Sequence, residues 1–90
     1  MRVLMTAALA ALTLGAAVAP SYAATCQALW VERNTYYKGA GYCFQTPRAI
    51  RYFGNAGCRY DNQNAVPLSR AVRHRIDEII AQERRQGCSD

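Results

Sequence analysis

Beyond residue 67 the apolar positions Leu68, Val72, Ile76, Ile79 and Ile80 recur at the spacing that places them on one stripe of an α-helix. Ser69 can cap the start, Arg84 and Arg85 suit the negative dipole end, and Gly87 can stop the chain, so the pattern predicts a helix over 69–86. Nearer the N-terminus Cys26, Leu29, Trp30, Tyr36 and Tyr37 fall close to one helical face. This predicts a helix over 26–38, capped by Thr25, with Glu32, Arg33 and Asn34 around its flank and Gly39 as the positive-φ stop. Between them Thr46-Pro47 reads as an N-cap followed by a first-turn proline, and Gly54 closes the segment, predicting a short helix over 47–53. Ala49, Ile50 and Phe53 share a face, Arg48 and Arg51 point elsewhere and Tyr52 sits on the margin. The stretch NAGCRYDNQNAVP has no period and reads as a loop, while Tyr42-Cys43-Phe44 alternates enough for a short extended piece. The expected fold is mainly α, a small three-helix domain.

The chain opens with Arg2, an apolar run from Val3 to Val18, and small residues at Ser21 and Ala23, which together read as a cleaved signal peptide over 1–23. An anchor is disfavoured because the apolar run falls short of the roughly 20 residues that a span needs. Lipidation at Cys26 is disfavoured by the Ala23-Ala24-Thr25 that precedes it. The expected product is one periplasmic or secreted domain, 24–90, with no transmembrane segment.

A domain of this size buries little apolar surface and usually needs covalent staples. Cys26, Cys43, Cys58 and Cys88 all lie beyond the leader, an even number in an oxidising compartment, so disulfides are expected. No C-x-x-C pair occurs and His74 is the one histidine, which disfavours a metal site. Three connectivities are possible. If the outer helices pack antiparallel, Cys88 comes beside Cys26, and the turn at Asn55-Ala56-Gly57 delivers Cys58 towards Cys43.

Net charge is +5 for the whole chain, and losing Arg2 with the leader leaves +4, an ordinary value for solubility. Nucleic acid is therefore not an expected partner. The stretch YYKGAGYCFQTP mixes a lysine, two glycines and a Thr-Pro step, but Lys38 precedes both glycines and a helix comes before them, unlike a phosphate-cradling loop. For catalysis, His74 sits on a helix among Arg73, Arg75 and Asp77, and of the carboxylates Glu32, Asp61, Asp77, Glu78 and Glu83 only Glu32, beside Trp30, invites a test. No enzymatic role, cofactor or metal is expected. Aromatic rings interleaved with arginines favour a binding surface instead. Trp30, Tyr37, Phe44 and Phe53 are expected in the core, leaving Arg48, Arg51, Tyr52, Arg59 and Tyr60 as the candidate binding residues.

The stretch from Arg33 to Phe44, followed by Tyr52-Phe53, resembles the YARHG domain, named for a Tyr-Ala-Arg-His-Gly run preceded by Arg-Asn and followed by an aromatic residue. Here the run falls on Tyr37-Lys38-Gly39-Ala40-Gly41, with only its first and last residues matching. The matching positions are Arg33, Asn34, Tyr37, Gly41, Tyr42, Phe44 and Phe53. The resemblance implies a bacterial extracytoplasmic domain, often envelope-associated, and supplies no catalytic residues. The functional expectation is a non-enzymatic domain that binds peptidoglycan or an envelope protein; the alternative is a small secreted regulator or inhibitor of a partner protein.

Overall fold

The computed structural model describes residues 24–89; the proposed leader lies outside them. Three helices follow in order: α1 (Cys26–Gly39), α2 (Pro47–Phe53) and α3 (Arg70–Gln86), with a 3-10 turn at Gln63–Ala65 between the last two. Each helix starts on the cap that its sequence offers. The hydroxyls of Thr25, Thr46 and Ser69 accept from the backbone N–H of Ala28, Ala49 and Val72, satisfying donors that the first helical turn leaves open.

The outer helices α1 and α3 pack against each other and run antiparallel. Their ends are fastened by the Cys26–Cys88 disulfide, and further along Arg33 meets Glu83 and Glu32 meets Arg75. Leu29, Ile76 and Ile79 are buried, as is Val66 from the loop before α3. A second centre gathers Trp30, Phe44 and Ala49, with Val31, Tyr37, Tyr42 and Phe53 packed around them. Phe44 stacks on Phe53 at 5.0 Å and meets Tyr42 edge-on at 5.2 Å, and Trp30 lies 5.7 Å from Phe53, so aromatic contacts join α1, the corner at 40–46 and α2.

The Cys43–Cys58 disulfide closes the middle of the chain. Tyr42 and Tyr60 form an isolated parallel bridge, and among the described residues no strand forms, so of the possible extended piece at Tyr42-Cys43-Phe44 only Tyr42 is paired in this way. Asn55 strengthens this corner with its side chain: its Oδ1 accepts from the Phe44 N–H at 2.7 Å and its Nδ2 donates to the Phe44 carbonyl at 3.0 Å.

Three expectations are corrected. Gly39 remains helical, and Gly41 is the residue with positive φ, at 95°. Its carbonyl accepts from the backbone N–H of both Arg59 and Tyr60, and a Cβ there would lie 3.4 Å from the Tyr60 ring. Gly41→Ala is therefore expected to cost about 1–3 kcal/mol, while Gly39→Ala, helical and opening on empty space, should be neutral or stabilising. Urea denaturation of the two variants checks this contrast. Asn34 is the second correction: it does not lie on an outer flank but is 6 % exposed. Ile50 is the third. It is 42 % exposed, because α2 is only two turns long and Ala49 and Phe53 suffice to seat it.

Candidate functional site

α2 and the corner before it bring the candidate residues into view. Arg48 lays its guanidinium over the Trp30 ring, with Cζ 3.8 Å from the centroid, and donates to Gln27 on α1. Tyr52 meets the same indole edge-on at 5.5 Å and remains 56 % exposed. Ile50 and Arg51 complete an outward face that is both apolar and cationic. Arg51 has no ion-pair or hydrogen-bond partner among the described residues, so its charge is available to a ligand.

Arg59 and Tyr60 form a separate pair beyond the Cys43–Cys58 disulfide. Arg59 lies 5.7 Å from the Tyr60 ring, and Tyr60 is half-buried through its bridge to Tyr42. Among the described residues no hydrogen bond or ring contact links this pair to Arg48, Arg51 or Tyr52. The five candidates therefore divide into an α2 group and a Tyr60 group.

Beside the α2 group a cavity of about 400 Å³ opens between α1, the corner and the 3-10 turn. Trp30 and Asn34 line it from α1, Tyr42, Phe44 and Gln45 from the corner, and Gln63 from the opposite side. Arg33 and Arg48 also reach its wall, and no carboxylate does. The Asn34 Nδ2 donates to the Trp30 carbonyl at 3.0 Å. Sequence reasoning missed this cavity and the burial of Asn34, and the available signal was an asparagine one helical turn beyond the tryptophan.

The residues weighed for catalysis lie elsewhere. Glu32 receives two hydrogen bonds from the Arg75 guanidinium, each 2.8 Å, and one from the Tyr36 hydroxyl at 2.9 Å. The Arg75 bonds hold its carboxyl below the ordinary value, partial desolvation opposes them and Tyr36 adds to the lowering. That is the reverse of the raised value a general acid needs. The same contacts push the Tyr36 phenol and the Arg75 guanidinium up. His74 is exposed on α3, its Nδ1 4.0 Å from Glu78. Among the described residues no cluster of His, Cys, Asp and Glu is arranged to hold a metal ion, and no helix is long and apolar enough to cross a membrane.

The motif positions have structural roles that fit their residue types. Tyr37 packs on Tyr42 at 5.7 Å, its carbonyl accepts from the Tyr42 N–H, and Gly41 supplies the positive φ of the corner. Lys38 donates to the Gly54 carbonyl, tying the end of α1 to the end of α2. Arg33 forms a bidentate pair with Glu83 across the α1–α3 interface. No curated protein and no solved structure matches the chain. The family model described as YARHG domain matches residues 2–84, well beyond the Arg33–Phe44 stretch and the Tyr52-Phe53 pair that carry the resemblance. With that match covering most of its length, the chain belongs to the YARHG family of small extracytoplasmic domains.

Proposed function

We propose that this is a non-enzymatic exported domain that binds a component of the bacterial cell envelope, peptidoglycan or an envelope protein, through the α2 face. The observation that carries the reading is the exposed Ile50–Tyr52 segment, where an aliphatic side chain, an arginine without a partner among the described residues and a tyrosine stand together. Exposed aromatic and arginine side chains of this kind supply contact area and forked donors, the types enriched at binding hot spots. Arg48, held over Trp30, extends the cationic edge towards the cavity. The carboxylates Asp61 and Asp77 lie on the loop and on α3, so no acid on α2 offsets its charge.

Co-sedimentation of the mature protein with purified peptidoglycan tests this reading. The wild-type chain is expected to pellet with the wall, and Arg51→Ala/Tyr52→Ala to lose at least about tenfold in affinity, as two central contacts would give. Retention equal to wild type would place the contact elsewhere. If instead one stoichiometric envelope protein co-purifies, the wall does not, and the double variant loses that protein, the α2 face serves recognition of an envelope protein.

A further inference from the structure

The cavity beside α2 contains polar groups that the fold itself leaves unmatched. Asn34 is 6 % exposed and Trp30 5 %, and both line the cavity. The Asn34 carboxamide has two N–H donors and two acceptor positions, yet among the described residues its one hydrogen bond is from Nδ2 to the Trp30 carbonyl. Its Oδ1 accepts nothing there, and the Trp30 indole N–H has no hydrogen-bond partner among the described residues. Buried polar groups of this kind are nearly always partnered. Two residues with such groups lining one cavity point to a ligand that supplies both an acceptor and a donor.

The remaining lining narrows the chemistry. Gln45 gives one N–H to the Cys43 carbonyl, and Gln63 stands on the far side with its carboxamide in no hydrogen bond among the described residues. Three carboxamides, the rings of Tyr42 and Phe44 and no carboxylate make a poor site for a cation. Arg33 and Arg48 also reach the wall, but Glu83 engages the first and the second lies over Trp30 and donates to Gln27, and a carboxylate ligand would face the Asn34 Oδ1 without a proton to give it. A secondary amide offers one N–H and one C=O on a flat group that aromatic walls accommodate. The fold already contains this pairing in the Asn55 side chain, which joins both the N–H and the C=O of Phe44.

We infer that the cavity recognises a secondary amide, either the acetamido group of an N-acetylated glycan or the peptide bond of a short peptide, with the Asn34 carboxamide and the Trp30 indole as its polar contacts. The inference rests on the envelope-binding reading for the source of the ligand, since cell-wall polymers carry both groups. Its chemistry rests on the cavity alone.

Titration of the wild-type mature protein, followed by two-dimensional ¹⁵N NMR, tests it with three probes. Tri-N-acetylchitotriose carries acetamido groups, cellotriose presents the same β-1,4 chain with hydroxyls in their place, and N-acetyl-alanyl-alanine amide carries peptide bonds without sugar. The expected result is movement of the Asn34 side-chain and Trp30 indole signals with the first or the third probe, at an affinity at least about tenfold above cellotriose, as one additional hydrogen bond to a buried group gives. Response to the glycan alone assigns a sugar acetamido group, and response to the peptide alone assigns a peptide bond. Equal response to all three probes, or none at Asn34 and Trp30, overturns the inference. Gln63→Ala, which removes an exposed carboxamide from the far wall and touches neither buried contact, is the control and should leave the fold and the Asn34 and Trp30 responses intact. Wall sedimentation that persists without any cavity response would leave the α2 reading standing and remove this one; amide binding without sedimentation would do the converse.

Discussion

Replacing Cys26 and Cys88 together with serine is expected to lower the unfolding free energy by about 4 kcal/mol, the entropy of closing a loop between cysteines 62 residues apart. The Cys43–Cys58 bridge, with a separation of 15, should contribute about 3 kcal/mol on the same grounds. A single core in a domain below about 70 residues rarely supplies more than roughly 3–5 kcal/mol, so the first variant should be largely unfolded near 37 °C. The long bridge also holds the open ends of α1 and α3, where Gln86 donates to the Ala24 carbonyl. Guanidinium denaturation followed by circular dichroism measures the effect. A loss below about 1 kcal/mol would mean that the Leu29, Ile76 and Ile79 contacts hold the helices without it.

Glu83→Ala is expected to cost about 2–3 kcal/mol, because it removes two charge-assisted hydrogen bonds from a guanidinium that is largely shielded from water. Both side chains of this pair are 12 % exposed. The neighbouring pair of Arg75 and Glu32 has similar hydrogen bonds but is 40 % and 37 % exposed, so water screens it and Glu32→Ala should cost no more than about 1 kcal/mol. Burial, not bond length, separates the two. Thermal denaturation of both variants at equal salt checks the ordering, and a larger loss for Glu32→Ala would reverse the assignment of which pair locks α1 to α3.

The sequence made some of this structure legible and concealed the rest for identifiable reasons. Thr46-Pro47 and Gly54 mark α2 locally, and the start at Pro47 and end at Phe53 follow from capping chemistry that needs no distant partner. The stripe through Ile76 and Ile79 marks α3 in the same way. The pairing of Cys26 with Cys88 follows once α1 and α3 are antiparallel. Periodicity treats polar residues as outward, so it misplaced Asn34, whose amide satisfies one bond inside its own helix at the Trp30 carbonyl. It could not show that Arg33 finds Glu83, since the partner lies 50 residues away and on another helix. Likewise it grouped Ile50 on one face with Ala49 and Phe53, whereas a two-turn helix has little width to bury and Ile50 stays exposed. Among the candidate binding residues, Arg48, Arg51 and Tyr52 were legible as one group because they share α2. Arg59 and Tyr60 look adjacent in composition, but the disulfide and the bridge to Tyr42 set them apart.

The most direct measurement of the envelope-binding reading is site-specific photocrosslinking in intact cells. A benzophenone side chain introduced at Ile50, on the exposed face of α2, is compared with the same group at His74, exposed on α3. Adducts containing muropeptides or one defined envelope protein are expected from Ile50 and not from His74. Equal labelling from both positions, or none from Ile50 while the protein remains folded and exported, would contradict the assignment of α2 as the binding face.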